Sequence, residues 1–202
     1  MALQRAVFVD RDGVLNHLVP DPSSGLGESP LSPTDVRVVD QAGRGISRLR
    51  EAGWLIICVT NQPAAAKGLV ELSQLWKIHD RVRALLAEQG GEIDGERICL
   101  HHPEGRVPEL SGICKCRKPE PGMLLDAADE YGIDLGESWM IGDTDADMQA
   151  GHSAGVKTVL VMTVGSEHKR SGCVEADLVA ANMADAVTAI LELEPPGGTS
   201  TR

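Results

Sequence analysis

Residues 5–13 of the chain read RAVFVDRDG, a short apolar run that ends in two aspartates and a glycine. A run of this length predicts a buried strand. Gly13 permits a sharp turn directly after the strand, because glycine has no Cβ. Asp10 and Asp12 would then both lie at the carboxyl end of a buried strand, where two carboxylates can reach one point in space.

Strands and helices are predicted to alternate along the rest of the chain. Further apolar runs predict strands at residues 54–60, 96–100, 138–142, 156–162 and, as an edge strand, 177–180. Helical spacing of apolar residues predicts helices at residues 40–52, 71–90, 121–131, 145–154 and 183–193. This alternation predicts an α/β fold, a Rossmann-like three-layer sandwich with a central parallel sheet. Residues 13–35 and 101–121 are predicted to be loops.

Length and charge limit the classes of protein to consider. The 202 residues suit one domain, and we expect residues 1–194 to form it and residues 195–202 to be a disordered tail. The net charge of −11 argues against a nucleic-acid partner, because binding a polyanion needs clustered Lys and Arg. No apolar stretch approaches the roughly 20 residues that span a membrane, and no signal peptide is evident. We expect a cytoplasmic protein, with a monomer as the default.

Two acidic motifs follow predicted strands. In the first, Asp10 could attack phosphorus as a nucleophile, and Asp12 could protonate the leaving oxygen. The alternative for this pair is a solvated turn. In the second motif, residues 142–147 read GDTDAD, and Asp143 is a candidate ligand for a hard cation such as Mg²⁺. Asp145 and Asp147 could instead stabilise the start of a helix, and Asp147 could orient a neighbouring side chain.

Two further segments could hold phosphate oxygens. Thr60, Asn61 and Gln62 follow the second predicted strand and offer a hydroxyl, two amides and backbone N–H groups. Arg117 and Lys118 could neutralise phosphate charge. Taken alone, the first segment is more often just a turn, and the second is more commonly a basic pair on the surface.

Four soft ligands lie at the end of the third predicted strand and in the loop that follows it: Cys99, His101, Cys114 and Cys116. Three thiolates and an imidazole at this spacing predict a closed, tetrahedral, structural Zn²⁺ site. The alternative is a set of buried free thiols with a core histidine. Zinc would make the long loop rigid and so fix Arg117 and Lys118, which directly follow Cys116.

The order of these motifs, DxDG, then Thr, then Lys, then GDxxxD, resembles that of the haloacid-dehalogenase (HAD) superfamily of phosphotransferases. The resemblance implies a phosphoryl group carried by Asp10 and general acid and base catalysis by Asp12, whose pKa should then be raised. It implies Mg²⁺ held by the Asp10 side chain, the Asp12 carbonyl and Asp143, and stabilisation of the phosphoryl group by Thr60 and Lys118. Substrate contacts are expected from Arg11, Asn61, Gln62, Arg117 and Thr144.

The segments CLHHP (99–103) and CKCRKPEPGM (114–123) narrow the resemblance to D-glycero-D-manno-heptose 1,7-bisphosphate 7-phosphatases. Histidinol-phosphate phosphatases also carry a zinc loop, but theirs is shorter. The resemblance implies hydrolysis of the 7-phosphate of a heptose bisphosphate, a small phosphorylated sugar, on the way to nucleotide-activated heptose. It also implies an open site without a large cap domain. The walls of this site would be residues 13–35 and the loop at 101–121 that carries zinc ligands.

Three segments around the expected substrate depart from the family pattern. TNQSGIxRG is replaced by TNQPAAAKG at 60–68, the loop after DRDG carries a Pro/Ser/Gly extension, and Thr144 stands where lysine is common. Histidinol phosphate or another small phosphate ester is therefore retained as an alternative substrate. A non-catalytic, zinc-stabilised binding module is a further alternative, which the set Asp10, Asp12, Asp143 and Lys118 argues against.

Overall fold

Six strands form one parallel sheet in the computed structural model, which describes residues 3–195. The strands are β1 (Ala6–Val9), β2 (Val19–Pro20), β3 (Gly27–Glu28), β4 (Leu55–Asn61), β5 (Gly95–Cys99), β6 (Trp139–Gly142), β7 (Lys157–Val161) and β8 (Leu178–Ala180). The helices are α1 (Ala42–Glu51), α2 (Leu72–Glu88), α3 (Gly122–Tyr131), α4 (Asp145–Ala154) and α5 (Met183–Leu193). The sheet order is β5-β4-β1-β6-β7-β8, and β2 and β3 form a separate antiparallel hairpin.

Helices cover both faces of the sheet. Alternate residues of β1 point to opposite faces, so Val7 and Val9 pack with α1, α2 and α5, whereas Ala6 and Phe8 pack with α3 and α4. All four side chains are fully buried. Burial on both faces explains why the strands read as continuous apolar runs. The fold is the predicted three-layer α/β sandwich.

The carboxyl ends of the central strands meet at one edge of the sheet. Asp10 directly follows β1, Thr60 is the penultimate residue of β4, Cys99 ends β5, and Asp143 directly follows β6. The chain adds strands first on one side of β1, as β4 and β5, and then on its other side, as β6, β7 and β8. The strand order therefore reverses direction at β1. In open parallel sheets, binding sites form at such a switch point.

The observed elements match the predicted ones to within about two residues at each end, the usual uncertainty of helix and strand boundaries. The hairpin of β2 and β3 was not predicted, since it lies within the Pro/Ser/Gly segment that we expected to be a loop. Of the predicted tail, residues 196–202 lie outside the described residues. Among the residues that are described, no helix is long and apolar enough to cross a membrane.

Candidate active site

A polar cavity of about 340 Å³ opens at the carboxyl edge of the sheet. Its volume falls in the range of small-molecule sites. The cavity is bounded by side chains from β1, β4, β6, the hairpin and two loops. It is lined by Asp10, Asp12, Leu18, Glu28, Ser29, Thr60, Asn61, Pro63, Lys67, Arg117, Lys118, Asp143, Thr144, Ala146, Asp147 and Lys169.

Lys118 lies between two carboxylates at the floor of the cavity. Its Nζ lies 2.8 Å from Asp10 Oδ1 and 2.6 Å from Asp147 Oδ1, and it donates to the Val59 carbonyl at 2.8 Å. All three charged side chains are buried. The ammonium group is therefore fixed beside the Asp10 carboxylate, a candidate nucleophile.

Burial and the neighbouring charges shift the pKa values of Asp10 and Lys118. Burial raises the pKa of Asp10 from 3.8 to about 6, a shift that Lys118 opposes and the Asp147 charge reinforces. Burial alone would lower the pKa of Lys118, but the charges of Asp10 and Asp147 outweigh it and the pKa is raised. Lys118 therefore stays protonated and keeps its positive charge for an incoming phosphate.

Asp143 has the surroundings expected of a cation ligand. It is buried, and neither of its carboxylate oxygens has a hydrogen-bond partner among the described residues. Burial, followed by the charges of Asp147 and Asp10, raises its pKa from 3.8 to about 8. Gly13 allows this close approach, because a Cβ at that position would lie 2.2 Å from Asp143 Oδ2.

The carboxylates of Asp10, Asp143 and Asp147 each offer an oxygen within 4.8 Å of the others. Oxygen donors of this kind are what Mg²⁺ prefers. A divalent cation would offset both the burial of the Asp143 charge and its repulsion by Asp147 and Asp10, and would give its unpaired oxygens a partner. Asp10 and Asp143 therefore fit Mg²⁺ as ligands, whereas the two oxygens of Asp147 already contact Lys118 and Thr144.

The carboxylate of Asp12 accepts hydrogen bonds from four side chains. These are Arg11 (Nη2 to Oδ2, 2.9 Å), Asn16 (Nδ2 to Oδ1, 2.9 Å), Gln62 (Nε2 to Oδ2, 2.6 Å) and Ser29 (Oγ to Oδ2, 2.9 Å). Burial would raise the pKa of Asp12, but the Arg11 charge and the hydrogen bonds lower it overall. The expectation of a raised pKa for Asp12 is thus wrong for this arrangement, because its donors favour the charged form.

Arg11 and Gln62 do not line the cavity, although we expected both to contact substrate. Each side chain is 1% exposed. Arg11 Nη2 donates to Gln62 Oε1 at 2.7 Å, and both side chains donate to Asp12. Their placement corrects the prediction: they lie behind Asp12 and hold its carboxylate.

Asn61 and Thr60 both line the cavity and both make side-chain hydrogen bonds within the protein. Asn61 Nδ2 donates to the Lys118 carbonyl at 3.0 Å, and the Lys118 backbone N–H donates to Asn61 Oδ1 at 3.1 Å. Asn61 thus fixes the backbone of Lys118 rather than offering its amide to a ligand. The hydroxyl of Thr60 accepts a hydrogen bond from Gln62 Nε2 at 2.9 Å, so its own O–H can still donate to a ligand.

Thr144 and Arg117, two residues predicted to bind substrate, both line the cavity. Thr144 precedes α4, and both its backbone N–H (3.0 Å) and its hydroxyl (2.6 Å) donate to Asp147 Oδ2. Asp147 therefore pairs with Lys118 through one oxygen and stabilises the start of α4 through the other. Arg117 Nη1 donates to the His101 carbonyl at 3.1 Å, which links the cavity to the cysteine cluster.

The four soft ligands of the β5–α3 loop come together. The Sγ atom of Cys116 lies 3.2 Å from those of Cys99 and Cys114, and those two lie 3.6 Å apart. His101 Nδ1 lies 3.6 Å from Cys116 Sγ. Ligand atoms around tetrahedral zinc, with Zn–S bonds of about 2.3 Å, are separated by roughly 3.8 Å. The cluster therefore fits one structural Zn²⁺.

Ser29, Glu28, Lys67 and Lys169 line the cavity but were not singled out from the sequence. Lys169 Nζ lies 3.0 Å from Glu28 Oε2 and donates to the Gly27 carbonyl at 3.1 Å. These contacts join the hairpin to the loop after β7. Glu28 and Ser29 lie in the segment 13–35 that was expected to wall the site, and Lys67 lies close to the Thr-Asn-Gln segment, whereas no sequence signal pointed to Lys169.

The sequence is similar to those of curated phosphatases over most of its length. It is 35% identical over 186 residues to D-glycero-beta-D-manno-heptose-1,7-bisphosphate 7-phosphatase of Yersinia pestis, covering 92% of this chain and 94% of the relative. The chain belongs to this family. A Pseudomonas aeruginosa protein of the same name is 37% identical over 157 residues, with 78% and 80% coverage.

A family model described as HAD-hydrolase-like matches residues 115–188, which include Lys118 and Asp143. The chain is thus a hydrolase of the HAD class. Its fold is similar to the crystal structure of D,D-heptose 1,7-bisphosphate phosphatase from B. bronchiseptica complexed with magnesium and phosphate. The TM-score is 0.77 at 31% identity, with 94% of this chain and 99% of that chain covered. A putative HAD-like phosphatase from Mesorhizobium loti gives a TM-score of 0.77 at 30% identity, covering 100% and 91%.

Proposed function

We propose that the chain removes the 7-phosphate from D-glycero-D-manno-heptose 1,7-bisphosphate, using Asp10 as the nucleophile. The observation that carries the proposal is the placement of Asp10, Lys118 and Asp143 around one polar cavity. The identity to phosphatases named for this substrate supports the choice of sugar. The product would supply the synthesis of nucleotide-activated heptose.

In the first step, an oxygen of Asp10 attacks phosphorus and forms an acyl phosphate, while the bond from phosphorus to the sugar O7 breaks. Lys118, fixed 2.8 Å from Asp10 Oδ1, offsets the repulsion between a carboxylate and a phosphate dianion. The hydroxyl of Thr60 and the guanidinium of Arg117 face the same cavity and would bind the other phosphate oxygens.

The leaving O7 takes a proton from Asp12, which must therefore be protonated when the substrate is bound, although its pKa is lowered in the free protein. Asp12 then acts as a base in the second step. Asp12 accepts a proton from a water molecule as that water attacks phosphorus, which releases phosphate and regenerates Asp10. The hydrogen bonds to Asp12 suit this second role, since they favour the carboxylate. Arg11 and Gln62 orient Asp12 in both steps and do not touch the substrate.

Mg²⁺ would be held by the side chains of Asp10 and Asp143 and the carbonyl of Asp12. When bound, it supplies Lewis-acid stabilisation of the phosphate charge. Zn²⁺ would be held by Cys99, His101, Cys114 and Cys116 with no open position, and its role would be to keep the β5–α3 loop rigid. That loop carries Arg117 and Lys118 directly after the last ligand.

We also propose that residues 1–194 form one domain that works as a monomer in the cytoplasm. Both apolar cores pack on the same sheet, which supports a single domain. The zinc cluster needs reduced cysteines, which supports a reducing compartment. Light scattering coupled to size-exclusion chromatography would measure the mass; that of a dimer would contradict the monomer.

The experiment that tests the proposed function is phosphate release with Mg²⁺ across a panel of esters. The panel holds both anomers of the heptose bisphosphate, fructose 1,6-bisphosphate, histidinol phosphate and an aryl phosphate. We expect one heptose anomer to exceed the rest in kcat/KM by at least about a hundredfold. Slow and similar hydrolysis of all five would contradict the assignment of the sugar, and preference for histidinol phosphate would replace it.

A further inference from the structure

The four hydrogen-bond donors to Asp12 come from two sides. Arg11, Asn16 and Gln62 are each no more than 1% exposed and approach from the interior of the protein. Ser29 is half-buried and lines the cavity, and its Oγ donates to Asp12 Oδ2 at 2.9 Å. Three donors therefore hold the carboxylate from the buried side and one from the side of the substrate.

The position of Ser29 depends on contacts between two loops. It directly follows β3, and the preceding Gly27 packs against Gly165, where a Cβ on Gly27 would lie 2.6 Å from the Gly165 carbonyl oxygen. The Lys169 ammonium donates to the Gly27 carbonyl and pairs with Glu28. The hydroxyl of Ser29 is thus held at the mouth of the cavity by the hairpin and the loop after β7.

We infer that Ser29 is a positioning residue for the phosphatase reaction, whose hydroxyl holds the carboxyl group of Asp12 toward the oxygen of the leaving alcohol. This inference rests on the proposed function, in which Asp12 protonates that oxygen. Without Ser29, the three remaining donors all lie on the buried side, and the carboxyl group would turn away from the cavity. Proton delivery would suffer, whereas attack by Asp10 would not.

The test compares two leaving groups. The value of kcat/KM covers the steps up to departure of the alcohol, so it reports proton delivery. An alkyl phosphate, whichever ester the enzyme hydrolyses best, needs this proton, whereas 4-nitrophenyl phosphate has a stable leaving anion and hardly needs it. We expect Ser29→Ala to lower kcat/KM about fivefold to tenfold for the alkyl ester and less than about twofold for the aryl ester.

Three other variants make the result specific. Ser29→Thr keeps the hydroxyl and should retain most of the alkyl activity. Ser24→Ala is the matched control. Ser24 lies in the turn of the β2–β3 hairpin, its hydroxyl donates to Asp21 and accepts from the Leu26 backbone N–H, and it does not line the cavity. Asp12→Asn measures the proton-transfer effect itself, and it should affect the alkyl ester far more than the aryl ester.

Two results would overturn the inference alone, provided that Asp12→Asn still affects the alkyl ester more than the aryl ester. In the first, Ser29→Ala has the same kcat/KM as wild type on both esters. In the second, Ser29→Ala loses the same factor in kcat/KM on both. An equal loss on both esters in Asp12→Asn would overturn the proposed role of Asp12 and this inference with it. Thermal unfolding of each variant checks that the fold is retained.

Discussion

The ammonium group of Lys118 lies 2.8 Å from Oδ1 of Asp10, and both side chains are buried. Lys118 reaches this position from the end of the cysteine-rich loop, whereas Asp10 reaches it from the end of β1. A second carboxylate, Asp147, holds the same ammonium at 2.6 Å. The proposed nucleophile, Asp10, and the cation that offsets its charge are thus brought together with Asp147 by three separate segments.

Asp10→Asn should abolish turnover while the protein stays folded. The amide is nearly isosteric but cannot attack phosphorus, and Asp147 still pairs with Lys118. We expect a loss of at least about a thousandfold in kcat, with an unfolding midpoint within about 3 °C of wild type. Phosphate release and thermal unfolding measure the two quantities. Substantial residual turnover would mean that another group is the nucleophile.

Cys114→Ser should remove zinc and destabilise the β5–α3 loop. Metal analysis of wild type should find one Zn²⁺ per chain, and the variant should fall well below this. Because bound metal contributes to folding, its unfolding midpoint should drop by more than about 5 °C. Cys173→Ser is the matched control, since Cys173 is exposed and outside the cluster. Equal zinc content in wild type and Cys114→Ser would refute the zinc site.

Asn61→Ala should slow catalysis, because it removes both hydrogen bonds that fix the Lys118 backbone. Two bonds at about 1 kcal/mol each predict a modest loss of stability and a fall in kcat of about tenfold. Asn182→Ala is the control: it removes the cap of α5, costing about 1 kcal/mol far from the cavity. Equal stability and equal kcat in Asn61→Ala and Asn182→Ala would contradict the role of Asn61 in positioning Lys118.

Asp143→Asn should stabilise the protein when Mg²⁺ is absent. Burial raises the pKa of Asp143 in the folded protein from 3.8 to about 8. Its stabilising contribution is therefore complete below about pH 4, where the unfolded chain is also protonated, and is lost as pH rises toward 8. Asn cannot ionise, so the advantage of the variant in thermal unfolding should grow between pH 5 and pH 8.

Added Mg²⁺ should reverse this order at pH 8, because the cation stabilises wild type and finds no carboxylate at position 143 in the variant. Asp129→Asn, an exposed change on α3, is the control and should show neither effect. Equal stabilisation of wild type and Asp143→Asn by Mg²⁺ would contradict the ligand role of Asp143.

The sequence predicted the sheet, its helices and the edge at which the polar residues meet. This succeeded because the carboxyl ends of parallel strands share one edge, so Asp10, Thr60 and Asp143 had to lie close together. The direction of the Arg11 side chain could not be predicted, since it depends on Gln62, a partner that directly follows another strand, β4. Ser29 was missed because a contact between Gly27 and Gly165, distant in sequence, sets its position.

The most direct test of the account is to follow D-glycero-D-manno-heptose 1,7-bisphosphate by ³¹P NMR in the presence of the protein and Mg²⁺. We predict that the resonance of the 7-phosphate disappears as inorganic phosphate forms, while the anomeric 1-phosphate persists. Loss of the 1-phosphate, or no release of phosphate from either anomer, would contradict the account.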